Sequence, residues 1–243
     1  MHERNHNKTF LRWGGNGKTI YAYGRIFSAI YEKETAGFVC SKLRLWCYKD
    51  FGVLVFDTVD DMRVFIAVEI PDNVRALIAS AADMLEFEGI RLVQERNLHI
   101  TMLFLGEISA DKAEQVKEVV SQLRPGGFDV SIDGLGVFTP RLPKIIYAKV
   151  VDHSKDLART YGFLRTEVEK LGIMVDSRQY VPHITLGRMN TQKKIDYDEL
   201  NSVLHRIAIN QRFHCAAVSL KSSSLSGEGP TYKDIYSLKL NVV

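Results

Sequence analysis

Two segments of this chain carry the same His-Ile-Thr triplet, and this repetition constrains the fold more than any other feature. The first segment is "NLHITMLFLG" at 97–106, and the second is "YVPHITLGRM" at 180–189. Each triplet lies in an apolar run that is typical of a β-strand. His99 and His183 are 84 residues apart. A repeat of that length predicts two similarly folded halves.

Other landmarks recur at nearly the same distance. Phe128 and Phe213 are 85 residues apart, and Val64 and Ile145 are 81 apart. In each half, a strand is followed by an amphipathic helix, the strand with the triplet, a second helix and a further strand. We therefore predict an α+β protein with two pseudo-symmetric β-α-β lobes.

Several segments have clear boundaries in the sequence. A helix is predicted over about 109–123, where Ser109 precedes it and Pro-Gly-Gly follows it. Another helix is predicted to end at Gly172, and "DYDELNSVLHRI" predicts a shorter one. The segment "FHCAAVSLKSSSL" at 213–225 is predicted to be a single strand.

Residues 1–61 have no counterpart in the repeat. They contain aromatic-rich pieces such as "TIYAYGRIFSAIYEKE", whereas the first strand of the repeat starts directly at Met62. We expect residues 62–243 to form the domain that carries the function. Residues 1–61 are then an N-terminal extension of unknown role, with Met62 as a candidate start of the native chain.

The composition excludes several classes of protein. A net charge of +3 is too small for a global field that attracts nucleic acid, so any such contact needs a local basic patch. No apolar run approaches the roughly 18 residues that span a membrane. Three cysteines do not make a disulfide framework. We expect a cytoplasmic monomer.

The triplets place an imidazole and a hydroxyl on the same side of each strand. Residues i and i+2 of a strand share a face, so His99 accompanies Thr101 and His183 accompanies Thr185. Two imidazoles that titrate near neutrality suit a general acid and a general base. Threonine hydroxyls can donate hydrogen bonds to phosphate oxygens. This combination predicts in-line cleavage of a phosphodiester, with the two lobes acting from opposite sides.

Other site chemistries fit the sequence less well. Neither triplet is accompanied by a cysteine or carboxylate at metal-ligand spacing, so we expect no metal and no other cofactor. The chain has no G-x-S-x-G nucleophile elbow. A non-catalytic RNA-binding module is the competing class. Two complete His/Thr pairs favour an enzyme, because binding alone does not require two titrating imidazoles.

Four segments in order resemble one known family. "MRVFIAVEIP", "NLHITMLFLGEI", "GVFTPRLPKIIYAKV" and "YVPHITLGR" are similar to segments of the RNA 2′,3′-cyclic phosphodiesterases, also called 2′-5′ RNA ligases, of the 2H phosphoesterase superfamily. The resemblance extends from residue 62 to about 240. It implies a bilobal fold whose antiparallel sheets flank a central cleft.

The resemblance also implies an activity and a partner. The expected reaction is hydrolysis of RNA 2′,3′-cyclic phosphate ends to a 2′-phosphate without a metal, and tRNA fragments are among the candidate substrates. Two alternatives stay within the superfamily. One is a 2′-5′ RNA ligase that joins RNA ends, and the other is an esterase acting on a small cyclic nucleotide diphosphate.

Roles for the motif residues follow from the same resemblance. His99 matches the proton donor to the leaving oxygen, and His183 matches the proton acceptor that activates water. Thr101 and Thr185 match phosphate-binding threonines, and Arg188 matches a basic residue common after the second motif. The acid and base exchange roles in the reverse, ligation-type reaction.

Four further positions carry expectations of contact with substrate. Strict strand alternation places Arg188 on the face opposite the histidine of the second triplet, unless the strand bulges or ends at Gly187. Arg141 and Lys144 in the loop at 139–144 are candidates to grip the RNA backbone. Tyr147 on the next strand is a candidate to stack a terminal base.

Overall fold

The computed structural model describes three N-terminal strands and most of the chain from residue 61 to 240. Within 61–240, the residues outside the description are 86, 125, 139–143, 191, 194 and 227–228. Contacts divide the chain into two compact units, Met1–Asp61 and Met62–Val243.

The first unit contains a small sheet. Its strands are β1 (Ile20–Ala22), β2 (Leu43–Tyr48) and β3 (Val53–Thr58), in the order β1-β3-β2. β2 is antiparallel to β3, and β1 is parallel to it. That these residues form an accessory extension stays a prediction.

In its described residues, the second unit contains nine strands and four α-helices. In chain order they are β4 (Met62–Val68), α1 (Asp72–Ala82), β5 (Ile90–Leu92), β6 (Ile100–Ile108), α2 (Ala110–Ser121), β7 (Phe128–Phe138), β8 (Ile145–Asp152), α3 (Asp156–Lys170), β9 (His183–Met189), α4 (Tyr197–Arg206), β10 (Asn210–Cys215), β11 (Ala217–Ser226) and β12 (Gly229–Lys239). The predicted α+β class is confirmed. Across the described parts of the chain, no helix is both long and apolar enough to cross a membrane.

Two helices begin at side-chain caps. The hydroxyl of Ser109 accepts a hydrogen bond from the N–H of Lys112 at 3.3 Å, at the predicted start of α2. The carboxylate of Asp196 accepts the N–H groups of Asp198 and Glu199, each at 3.0 Å, at the start of α4. These caps satisfy backbone donors that the first helical turn leaves unpaired.

All nine strands join one sheet through antiparallel pairs. The order is β10-β7-β8-β9-β6-β4-β11-β12, and β5 pairs with the C-terminal part of β9. Within the described residues, β6 and β9 share a single Cα pair, Ile100 with Ile184. The sheet therefore consists of two four-stranded halves joined at this point, and β5 is the ninth strand, beside β9.

The repeats exchange a strand between these halves. β7 follows α2 in the first repeat but pairs with β8 of the second, whereas β11 pairs with β4 of the first. The segment 213–225, predicted as one strand, is interrupted at Ala216. Its parts β10 and β11 join opposite halves of the sheet. The single-strand prediction was wrong because apolar alternation does not register a change of partner strand.

A continuous hydrophobic core lies under the helices. α3 packs on β6, β7 and β8, while α2 packs on β11 and β12. The fully buried Ile66, Ile100, Ile146 and Ile184 belong to this core. Alternate residues of the same strands point to the other face of the sheet, which is where the polar side chains of the triplets lie.

Candidate active site

The two triplets meet at the join between the halves of the sheet. Their central isoleucines are Cα partners of an antiparallel pair. Continuing that register by one residue in each direction places His99 opposite Thr185 and Thr101 opposite His183. The four polar side chains therefore share one face, and the two histidines occupy one diagonal of a four-cornered arrangement.

The geometry of a regular antiparallel pair gives approximate dimensions for this arrangement. Opposed residues of an antiparallel pair have Cβ atoms about 4.5–5.5 Å apart, and diagonal neighbours are about 7–8 Å apart. One tetrahedral group fits between two imidazoles at such a separation, with a hydroxyl at each remaining corner. The arrangement suits a phosphate that is approached from two sides.

Each imidazole is held by a backbone carbonyl two residues before it. The Nδ1 atom of His99 lies 2.7 Å from the carbonyl oxygen of Asn97, and Nδ1 of His183 lies 2.8 Å from that of Val181. A carbonyl only accepts, so Nδ1 carries the hydrogen and Nε2 is the atom that exchanges protons. Nε2 of His99 lies 3.1 Å from the hydroxyl oxygen of Thr101.

Burial makes both histidines weak bases in the free protein. It lowers the pKa of His99 to about 4, with a smaller opposing effect of the Asn97 carbonyl and of Glu69. Burial also lowers the pKa of His183, and the charge of Arg188 acts in the same direction. Both rings are therefore neutral at pH 7. An anion bound between them raises both pKa values, because it favours the charged form.

Aromatic rings surround the first histidine. The ring of Phe65 stacks on that of His99 with centroids 5.0 Å apart, and the ring of Tyr232 meets it edge-on at 5.5 Å. These contacts bury the imidazole and restrict its rotation. They explain why burial is the largest influence on the pKa of His99.

A similar pair of rings contacts the second histidine. Phe138 and Tyr147 lie edge-on to His183, with centroids 4.8 and 5.6 Å away, and stack on each other at 4.1 Å. From the sequence, Tyr147 is a candidate to stack a terminal base. In the structure its ring packs against His183, so a contact with RNA stays a prediction.

A narrow cleft, partly open to solvent, lies where β6 and β9 separate beyond their shared pair. Of the predicted residues, the cleft lining includes His99, Thr101, Thr185 and Arg188. His183 is not part of that lining. It lies on the same polar face of the sheet, diagonal to His99.

A β-bulge brings Arg188 to the cleft. The register of β9 against β8 shifts at Leu186, which has no Cα partner in the described part of β8. Leu186 and Gly187 are consequently two consecutive buried residues, and Arg188 returns to the face of Thr185. Strict alternation predicted the opposite face. The exception that the sequence analysis allowed, a bulge, is what the structure contains.

The first half contains a matching bulge, which the sequence pattern does not predict. The register of β6 against β4 shifts at Met102, and both Met102 and Leu103 are buried. Phe104 therefore lies in the cleft lining with 57% of its surface exposed. It occupies the position that Arg188 has in the second half. The signal in the sequence was that Phe104 follows Thr101 by three residues, as Arg188 follows Thr185.

Asn97 is a second residue that the sequence analysis missed. Its carbonyl holds His99, and its buried side-chain amide donates a hydrogen bond to the carbonyl oxygen of Pro230 at 3.0 Å. Pro230 belongs to the hairpin of β11 and β12, which forms one wall of the cleft. The orientation of His99 is thus coupled to this hairpin.

The remaining predicted residues are not placed in the cleft. Arg141 lies outside the described residues. Lys144 is exposed, and its carbonyl oxygen accepts the N–H of Met189 at 2.9 Å. RNA contacts by both residues stay predictions. In the described part of the chain, no three His, Cys, Asp or Glu side chains come together as metal ligands would.

In the 2H class of phosphoesterases, each of two pseudo-symmetric halves brings a strand with a His-x-Thr motif to a shared cleft. The sequence profile described as LigT like Phosphoesterase matches this chain twice, at residues 64–147 and 150–232. The two matches cover more than half of the chain and one repeat each. The chain belongs to this family.

Individual relatives agree with this assignment. A Methanothermobacter thermautotrophicus protein named RNA 2′,3′-cyclic phosphodiesterase is 31% identical over 187 residues, covering 74% of this chain and 99% of the relative. An Archaeoglobus fulgidus protein of the same name is 29% identical over 178 residues, covering 72% of this chain and 98% of the relative.

Solved structures show the same architecture. A Thermus thermophilus protein superposes with a TM-score of 0.64 at 25% identity, covering 74% of this chain and 98% of that protein. Escherichia coli LigT complexed with 3′-AMP gives a TM-score of 0.62 at 25% identity, with the same coverage. The predicted bilobal fold is confirmed.

Proposed function

We propose that this protein hydrolyses the 2′,3′-cyclic phosphodiester at the end of an RNA to a 2′-phosphomonoester, using His99 and His183 without a metal ion. The observation that carries the proposal is the antiparallel pairing of the two triplets, which sets two imidazoles on one diagonal of a polar face. The relatives named RNA 2′,3′-cyclic phosphodiesterase support this reaction class and RNA as the substrate.

The proposed reaction is an in-line displacement at phosphorus. His183 accepts a proton from water through Nε2 as the water oxygen bonds to phosphorus. The bond from phosphorus to O3′ breaks on the opposite side, and His99 donates a proton from Nε2 to O3′. The phosphate remains on O2′. His183 ends protonated and His99 neutral, so proton exchange with solvent restores the starting state.

The diagonal placement of the histidines suits this chemistry. The attacking and leaving oxygens of an in-line displacement lie on opposite sides of phosphorus, and so do two groups on the diagonal of the polar face. Thr101 and Thr185 at the other corners can donate hydrogen bonds to the non-bridging oxygens. Arg188 can add a bidentate, charge-assisted contact to the same oxygens.

The general acid must carry a proton before the reaction. Burial opposes this in the free protein, where the pKa of His99 is about 4. The bound cyclic phosphate supplies a negative charge beside the ring, and Glu69 also favours the protonated form. Substrate binding thus creates the protonation state that catalysis needs.

The cleft can also hold the terminal nucleoside. Phe104 presents an exposed ring in the cleft lining, which also includes both threonines. An exposed aromatic ring stacks on any nucleobase, because every base has a π face. The proposed site therefore accepts RNA ends with little dependence on the terminal base.

The test is to incubate the protein with a short RNA ending in a 2′,3′-cyclic phosphate, in the presence of EDTA. The expected product is heavier by one water, loses its phosphate to a phosphatase, and yields a nucleoside 2′-phosphate on complete digestion. A 3′-phosphate product, or turnover that EDTA abolishes, contradicts the proposal.

The same assay reports the reverse reaction. A second RNA with a free 5′-hydroxyl is added, and the products are separated by length. If the amount of joined 2′-5′ product exceeds that of the hydrolysis product, ligation rather than hydrolysis is the principal activity. Binding of the cyclic end with no turnover would instead favour a non-catalytic RNA-binding role.

A further inference from the structure

Two arginines face each other at the outer end of the cleft. Arg91 on β5 and Arg188 on β9 are Cα partners of an antiparallel pair, and both side chains line the cleft. A guanidinium binds phosphate oxygens through two parallel, charge-assisted hydrogen bonds. Two arginines that line one cleft can therefore each bind a separate phosphate group.

We propose that Arg91 binds a second phosphate, the phosphodiester that joins the terminal nucleotide to the rest of the RNA. The site then selects RNA ends over mononucleoside cyclic phosphates. This inference rests on the proposed function and specifies its substrate more closely.

The position of Arg91 along the sheet separates it from the reacting phosphate. Its partner Arg188 is four residues beyond Ile184, where the triplets meet. At roughly 3.3 Å per strand residue, that distance is about 13 Å, somewhat less where the bulge shortens β9. Arg188 is on the strand that carries Thr185 and can extend back toward it. Arg91 lies on the neighbouring strand, so its guanidinium suits a phosphate one nucleotide away.

The guanidinium of Arg91 lies against the hairpin of β11 and β12. Gly229 has a backbone φ of +125°, which favours glycine, and a Cβ atom there would come within 2.7 Å of Nη2 of Arg91. Pro230 beside it also lines the cleft. The Arg91 side chain and the hairpin thus lie together at the cleft.

Space for an upstream nucleotide adjoins the cleft. Gln94 lines the cleft and also a second, shallower depression, together with Arg75, Glu95 and Arg96. Arg96 is exposed on this surface. An RNA strand that places its flanking phosphate at Arg91 can continue past Gln94 into the depression.

The test compares three substrates with the same terminal nucleoside. They are a mononucleoside 2′,3′-cyclic phosphate, a dinucleotide with a cyclic phosphate end, and the same dinucleotide with an uncharged methylphosphonate linkage. The wild type should prefer the charged dinucleotide by about 10- to 100-fold in kcat/KM, as expected for a charge-assisted contact. For Arg91→Gln the three kcat/KM values should converge. Arg91→Lys should retain part of the preference, since it keeps the charge but loses the bidentate geometry.

The controls separate this contact from other roles. Arg159→Gln removes an exposed positive charge from α3, away from the cleft, and should keep the wild-type preference. Equal losses on all three substrates in Arg91→Gln would overturn the proposal, as would a wild type without preference for the charged linkage. Failure of the wild type to hydrolyse any of the three would instead contradict the proposed function.

Discussion

Ile100 and Ile184 pair across the join between the two halves of the sheet, and both are fully buried. This pair determines where the polar side chains beside each isoleucine lie. A slip of one residue in either strand would turn that strand's histidine and threonine toward the core. The site therefore depends on the register at one contact, which burial of both isoleucines stabilises.

The first prediction concerns the two histidines. His99→Asn and His183→Asn should each lower kcat by about 10²- to 10⁴-fold, the usual contribution of general acid or base catalysis. A substrate with sulfur in place of O3′ releases a thiolate, which leaves without protonation. On that substrate His99→Asn should recover most of its activity, whereas His183→Asn should not.

His205→Asn, on the exposed side of α4, is the matched control and should behave as the wild type. Recovery of His183→Asn instead of His99→Asn would reverse the acid and base assignments. Recovery of neither would contradict a general acid in this step.

The second prediction concerns the pH dependence of kcat/KM. The reaction requires one protonated and one neutral imidazole, and the pKa values of both lie below 6.5 in the free protein. The profile should therefore peak below pH 6.5 and fall about tenfold per pH unit above both values. The profile of kcat should lie at higher pH, because bound substrate raises both pKa values. A maximum of kcat/KM above pH 7 would contradict the lowered pKa values that burial gives both histidines in the free protein.

The third prediction concerns stability. The pKa of His99 is about 4 in the folded protein and 6.5 in the unfolded chain, so between these values the unfolded chain binds more protons. The free energy of unfolding should fall as the pH decreases through this window, by about 2 kcal/mol between pH 7 and pH 5. In urea denaturation, His99→Gln should lose much of this pH dependence. A variant with the wild-type slope would show that His99 is not the responsible group.

The fourth prediction concerns Phe104. Stacking on a base contributes about 1–3 kcal/mol, so Phe104→Ala should lower kcat/KM by about 5- to 150-fold. The ring is 57% exposed, and the melting temperature should change little. Phe104→Tyr keeps a stacking face and should stay near the wild type. Equal activity of Phe104→Leu and the wild type would argue against stacking.

The fifth prediction concerns the bulge that carries Arg188. A Cβ at Gly187 would lie 3.1 Å from Cγ2 of Ile90 on β5, which is tighter than ordinary packing. Gly187→Ala should destabilise the fold by about 1–3 kcal/mol and reduce activity through displacement of β5 and Arg188. The control Gly162→Ala lies on α3 with open space around the added atom, and should stabilise by about 0.5–1 kcal/mol. Thermal melts distinguish the two, and a neutral Gly187→Ala would mean that β5 adapts freely.

Local features of the chain were enough to predict the elements and the chemical groups of the site. Ser109 caps α2 where its sequence context indicates, because capping involves only residues of the first helical turn. His99 and Thr101 share a face because strand alternation is a property of consecutive residues. The repeat of the triplet, together with the resemblance, predicted two halves and one shared site.

The relations between distant segments were decided by the tertiary structure. β7 and β11 each pair with a strand of the other repeat, and apolar patterning does not encode a partner strand. The same holds for Phe104 and Arg188, which reach the cleft because of the extra residues Met102 in β6 and Leu186 in β9.

The sequence by itself thus determined which residues could perform acid–base chemistry, because that depends on side-chain type and local periodicity. Only the tertiary structure decided that Asn97 links His99 to the hairpin and that Arg91 faces Arg188. The contact of Asn97 with the hairpin and the pairing of the two arginines join residues far apart in the chain, and their geometry follows from register, bulges and packing rather than from any local preference.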